Sequence, residues 1–133
     1  MNVRNRERGA AAVEFALVVP VLLVLVLGIA EFGRAYNIQT TLSGAAREGA
    51  RVMALDNSTS PIAAATTKTI AAAPTLGLSA GQISISPSTC VVAAGAGVPQ
   101  TVTVTVTYPM TFLTTFFGSS ITLTGKGVML CNG

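Results

Sequence analysis

Five carboxylates, two thiols and eight basic side chains make up most of the reactive chemistry in this 133-residue chain, which has no histidine and no tryptophan. The carboxylates are Glu7, Glu14, Glu31, Glu48 and Asp56. A nucleophilic triad has no histidine base here, no glycine loop has the phosphate-cradling pattern, and no two carboxylates share a cleft-like setting. Two thiols without histidine fall short of the four ligands of a structural metal site. The expectation is no enzyme, no catalytic residue, no metal, no cofactor and no small-molecule substrate. Glu31, Glu48 and Asp56 read as solvated or ion-paired helix residues. Glu14 does not, because it lies inside "RGAAAVEFALVVPVLLVLVLGIA", Arg8 to Ala30, which is otherwise apolar.

That segment reads as a membrane span. Half of the chain is hydrophobic and 10% is charged, against roughly 25% charged in an ordinary soluble domain. No charge falls between Phe15 and Ala30, and Ala10 to Val13 extend the run to the roughly 20 residues that cross a bilayer. The net charge is +3, and Arg4, Arg6 and Arg8 stand against Glu7 just before the run. This is the positive-inside pattern, which predicts a cytoplasmic N-terminus and an extracytoplasmic remainder. A nucleic-acid patch is a poor reading of these arginines, since they abut a span and no basic or aromatic surface follows. Cys90 and Cys131 both fall on the outer side, where a disulfide tying the last strand to the middle of the domain is expected.

The elements follow from pattern. The helix is expected to pass Pro20, which membrane spans tolerate, and to continue through "EFGRAYNIQTTLSGAAREGARVMAL", where Phe32, Ala35, Ile38, Leu42, Ala45, Gly49 and Val52 recur at helical steps. Ala10 to Leu55 would then form one rod on the order of 70 Å long. On it Glu31 meets Arg34, while Arg47, Glu48 and Arg51 share a polar side. Gly44, Ala45, Ala46, Gly49 and Ala50 make a stripe of small residues that allows close helix packing. The stripe is covered either by the chain's own outer domain or by another helix, and both can hold at different depths. "DNSTSP" is a loop. "PIAAATTKTIAAAP" is a short helix with proline at its first position, and "TLGLSAG" is a connector. "QISIS", "TVTVTVTY" and "SITLTGKGVML" alternate as strands, the last with a bulge expected near Gly125 and Gly127. "AAGAGVPQ" supplies a turn, and "TFLTTFFG" forms core or rim of the sheet, with a partner-docking patch as the lesser reading. The predicted fold is α+β: a long N-terminal transmembrane helix continuing as an amphipathic helix, a short second helix, and an antiparallel sheet of about three strands with a threonine-rich outer face.

Taken alone, Glu14 could simply reach the lipid head groups. Its neighbours point elsewhere. Gly9, four residues, Glu14 and then Phe15, behind a short basic tail, resemble the type IV prepilin processing site in its Flp/Tad form. "AAVEFALVVP", "EFGRA" and "AAREGAR" at Ala45 to Arg51 resemble the TadE-like pseudopilins at family-like spacing, and the strand-rich tail resembles them more loosely. The ending "VMLCNG" and the cysteine pair depart from that resemblance.

The resemblance implies a cut between Gly9 and Ala10 by prepilin peptidase. Residues 1–9 would be a cleaved basic leader, 10–30 the transmembrane helix, 31–55 its extracytoplasmic extension and 56–133 a small α+β domain. Glu14 would pair with the new ammonium of Ala10 on a neighbouring subunit, a pairing that offsets two charges costly in lipid and sets axial register. The implied partners are prepilin peptidase, other pilins and pseudopilins of the Tad system, its inner-membrane assembly platform and membrane lipid, with no nucleic acid. The implied location is the bacterial inner membrane, single-pass, with possible incorporation into a surface pilus. Two other readings predict different behaviour: an unprocessed bitopic anchor keeps its N-terminus, and a main filament subunit is the bulk of the fibre.

Overall fold

The computed structural model describes residues 3–56, 60–90 and 100–131, the first five of these as backbone only. The start of the leader, the middle of the Asp56–Pro61 loop and nearly all of "AAGAGVPQ" lie outside the described residues. The elements run α1 (Val3–Leu55), α2 (Pro61–Ala71), two single 3₁₀ turns, β1 (Ile83–Ser86), β2 (Thr101–Thr111), a third 3₁₀ turn and β3 (Ser120–Leu130). The chain separates into two units, residues 1–34 and 35–133.

The first unit is the N-terminal part of α1. The helix continues through Pro20. Most of its apolar side chains are exposed, among them Val13 at 62% and Ile29 at 74%, with Val19 and Leu27 half-buried. A helix with no polar side to turn outward has its natural surroundings in lipid or among other apolar helices, and this one is long and apolar enough to cross a membrane.

The second unit is built on a three-stranded antiparallel sheet of order β1-β2-β3. Alternation explains its two faces. Val102, Val104, Val106 and Met110 are buried while the threonines between them stay exposed or half-buried. Ile83 and Ile85 of β1 pair with Val106 and Val104, so they extend the same inner face. β2 outruns its expected end and continues through Pro109 to Thr111. β1 covers only Thr103–Val106, so at Pro109 the sheet has an open side, the setting in which a strand tolerates proline.

No bulge occurs at Gly125 or Gly127. The β2–β3 ladder pairs residue for residue from Thr101↔Leu130 to Thr111↔Ser120, with Val106 opposite Gly125 and Val104 opposite Gly127. Both glycines therefore face inward, and a Cβ at Gly125 would run into the backbone of Leu42, one at Gly127 into that of Ala46. They are the track on which α1 lies against the sheet. Glycine in a strand marks either a bulge or a close backbone approach, and here it is the second.

α2 starts on Pro61 at its first turn and covers another side of α1. Thr69 and Ala65 are fully buried, and Gly49 leaves room for the Thr69 hydroxyl. That hydroxyl donates to the Ala65 carbonyl at 2.8 Å, so its burial leaves no polar atom unsatisfied. Leu42, Ala46, Ala50 and Met53 complete the core from α1. Phe32 does not join them and is 72% exposed. Counted back from Leu42 at helical spacing, the buried stripe passes through Glu31 instead.

Candidate functional site

Gly9, Ala10, Glu14 and Phe15 all lie within α1, and all four are exposed. In a helix, positions four apart share a face, so the carboxylate of Glu14 stands one turn above Ala10 on the same side. Phe15 is 71% exposed beside it. The space around Gly9 is open, and a Cβ there would meet nothing within 4 Å. Nothing in the described fold requires a glycine at this position, in contrast to Gly125 and Gly127.

The small-residue stripe divides between two surroundings. Ala45, Ala46, Gly49 and Ala50 are buried inside the second unit, with Ala46 against Gly127 of β3 and Gly49 against Thr69 of α2. Gly44 is exposed, with open space where a side chain would stand. Of the three positions singled out for helix packing, Ala45 and Gly49 are thus occupied by the chain's own domain and Gly44 faces away from it.

Cys90 and Cys131 are joined in a disulfide with Cα atoms 5.2 Å apart, across a separation of 41 residues. The Cys131 amide also donates to the Gln100 carbonyl at 2.8 Å, so the end of β3 is fastened both covalently and through its backbone. Among the described residues, no group of three or more potential metal ligands forms.

Glu31 makes the ion pair expected from sequence but is more buried than a helix-surface carboxylate. Glu31 is 2% exposed and paired with Arg34 at 3.8 Å. The pairing was legible from the i, i+3 spacing, but the burial was not. By contrast, Glu48 and Arg51 form a longer surface pair at 4.0 Å, both well exposed, of a kind that contributes little to stability.

Fold and site together define a class: a small α+β unit carried on a helix whose other end is long and apolar enough for a single membrane crossing. Within that class, the family model described as TadE-like protein matches residues 9–51. The match opens on Gly9, takes in Glu14 and both later motifs, and ends at Arg51 inside α1, so over this segment the chain is similar to TadE-like proteins, a similarity consistent with the Tad pilus system. Comparison with curated proteins and with solved structures found no match.

Proposed function

We propose that this chain is a membrane-anchored pseudopilin or minor pilin, cut by prepilin peptidase between Gly9 and Ala10, that supports assembly of a Tad/Flp-type pilus. The observation that carries the reading is a family match that begins at Gly9 and includes an exposed carboxylate, Glu14, on an apolar helix. Hydrolysis of the Gly9–Ala10 bond leaves a carboxylate on the leader and an ammonium on Ala10. The mature chain then carries opposite charges at its first and fifth residues. In a bundle of such helices the Ala10 ammonium of one subunit pairs with Glu14 of its neighbour. Each charge alone is expensive in lipid; paired, they are less so, and their alignment sets the axial offset between subunits. The N-terminus lies on the cytoplasmic side, where Arg4, Arg6 and Arg8 hold it. The open surroundings of Gly9 support a role in recognition by a peptidase rather than in packing.

Intact-mass measurement on protein from cells containing the peptidase tests the first step. The expected mass begins at Ala10; a chain retaining Met1 to Gly9 identifies an unprocessed bitopic anchor and refutes the processing. Quantitative composition of purified fibres tests the second: low stoichiometry is expected, and a chain that forms the bulk of the fibre is its main subunit. Glu14→Ala is expected to leave membrane insertion intact and abolish assembly.

A further inference from the structure

β3 keeps one edge open. In an antiparallel ladder the N–H and C=O of one residue point to the same side, and those of the next residue to the other. The Cys131 amide donates to the Gln100 carbonyl, and the Phe112 amide to the Ser119 carbonyl. Odd-numbered residues of β3 therefore turn toward β2. The even-numbered ones turn away, and the sheet order places no strand beyond them. At Thr124 the outward carbonyl accepts from the Gln39 side-chain amide at 2.7 Å. Further along, the outward backbone groups of Lys126, Val128 and Leu130 have no partner among the described residues. Gly125 and Gly127 face inward, so the side chains of these three stand on the outer face, where Val128 is 56% exposed and Leu130 52%.

α1 forms a ledge beside this edge. Gly125 lies on Leu42, and Gly127 on Ala46 and Arg47, so strand and helix run in the same direction. Positions four apart share a helix face. The row that starts at Gln39, already bonded to the edge, continues through Ser43 to Arg47 and Arg51. Its far end is also beside the strand, for Arg51, Ala54 and Leu55 line a hollow of about 330 Å³ with Met129 and Leu130. Arg47, Arg51 and Lys126 are all exposed. The carboxylates of this region, Glu48 and Asp56, line a separate hollow that includes no residue of β3. Glu48 reaches Arg51 only at 4.0 Å, in an exposed pair. The open edge is thus flanked by cations alone.

We infer that the open edge of β3 takes up an extended segment of a different protein, one in which carboxylates alternate with apolar residues. Its backbone adds a strand along Lys126, Val128 and Leu130, and main-chain hydrogen bonds give such an addition its affinity. Its apolar side chains cover Val128 and Leu130 on the outer face. Its carboxylates, on the other face, meet Arg47 and Arg51 on the ledge, where arginine–carboxylate bonds are among the stronger polar contacts. A second copy of this chain does not supply the segment. β1, β2 and β3 contain no carboxylate, and the chain's five lie within α1 or directly after it. The inference uses the second unit alone and does not depend on cleavage at Gly9.

The test uses the full chain in an uncharged detergent and a fluorescently labelled, capped peptide of alternating glutamate and valine, read by anisotropy. Saturable binding is expected, weakened by added salt. N-methylating one alternating set of peptide residues should abolish it and N-methylating the other should spare it, because only one set faces the edge. Val128→Pro removes an amide that the β2–β3 ladder does not use, so binding should be lost with the near-ultraviolet circular dichroism unchanged. Arg47→Glu together with Arg51→Glu should weaken binding roughly tenfold or more. Lys68→Glu, on α2, should leave it unchanged. No saturable binding, equal affinity for a lysine–valine peptide, equal weakening by Lys68→Glu, or indifference to both N-methylated sets overturns the inference. Self-association of the chain that Val128→Pro abolishes assigns the edge to a second copy and overturns it as well. Should Val128→Pro fail to fold, the N-methylated peptides decide on the native chain.

Discussion

Gly125→Ala and Gly127→Ala test whether α1 rests on the sheet through its glycines. At Gly125 a Cβ would stand 2.7 Å from Leu42 Cβ, against 3.4 Å at the near limit of ordinary contact, and closer still to the Leu42 carbonyl group. The obstacle is mainly backbone, in a helix and in a strand, so no rotamer change relieves it. The helix must retreat by about 0.7 Å or more, and a gap of roughly 0.5–1 Å forfeits a quarter to a half of each dispersion contact it opens. Leu42, Ala46, Val104 and Val106 are all fully buried around this contact. Overpacking a core typically costs about 1–3 kcal/mol, and the upper end applies where backbone meets backbone. For a unit of this size about 3 kcal/mol lowers Tm by roughly 12–24 °C. The assay is thermal unfolding of the full chain in detergent, followed by near-ultraviolet circular dichroism with the disulfide intact. Gly44→Ala is the internal control: its Cβ meets nothing within 4 Å, so removal of a helical glycine should stabilise by up to about 1 kcal/mol. An unchanged Tm for Gly125→Ala and Gly127→Ala would refute the close approach and return the bulge to consideration.

Gly49→Ala should destabilise the unit by about 1–2 kcal/mol in the native background, because its Cβ meets the Thr69 hydroxyl. In a Thr69→Ala background most of that cost should vanish, and a double-mutant cycle by chemical denaturation with no coupling would rule the contact out. Replacing both Cys90 and Cys131 by serine opens a loop of 41 residues, which by chain entropy costs about 4 kcal/mol. The check is a Tm measured beside the native protein; equal values would mean that the bond constrains nothing in the unfolded chain. Phe32→Ala should leave the Tm of the unit nearly unchanged, since Phe32 is 72% exposed; a drop comparable to the loss of a core phenylalanine, about 3–5 kcal/mol, would place Phe32 back in the core.

The elements were legible because each obeys one period. Val102, Val104 and Val106 alternate without interruption, Pro61 marks a helix start, and the span is continuous. The errors came where a residue carries no hydrophobic signal. Glycine at positions 125 and 127 keeps the inward parity of Ile121 and Leu123, but without side chains the alternation looks broken, so a bulge was expected where the register is continuous. Only the opposing helix backbone explains them, and that is a tertiary fact. The Glu31–Arg34 pair was legible from its i, i+3 spacing, but the burial of Glu31 was not, because a carboxylate argues for solvent. Gly9, Glu14 and Phe15 form a motif in the sequence alone, and the fold does not bear on it, since all three are exposed on a helix that would form without them.

The division of the small-residue stripe narrows where subunits could recognise one another. Within the second unit, Ala45, Ala46, Gly49 and Ala50 are already buried, Gly49 against α2 and Ala46 against β3, and of that stripe Gly44 alone is exposed. A neighbour seeking a close helix contact there would have to displace the chain's own sheet. A longer apolar surface is the segment from Val13 to Ile29. Yet lipid tails are as apolar as leucine and valine, so such a surface has little hydrophobic reason to prefer a neighbour over lipid. Packing alone would also tolerate sliding, since one ridge of valines and leucines resembles the next. Under the proposed function a charge pair removes that degeneracy. An ionised group at the centre of a span costs roughly 2.5–3.5 kcal/mol on insertion scales, and less toward its end. An offset that leaves Glu14 and the ammonium unpaired therefore loses where a paired one does not. On this argument the outer unit contributes its own stability, and the register between subunits is written in the first turns of the mature helix.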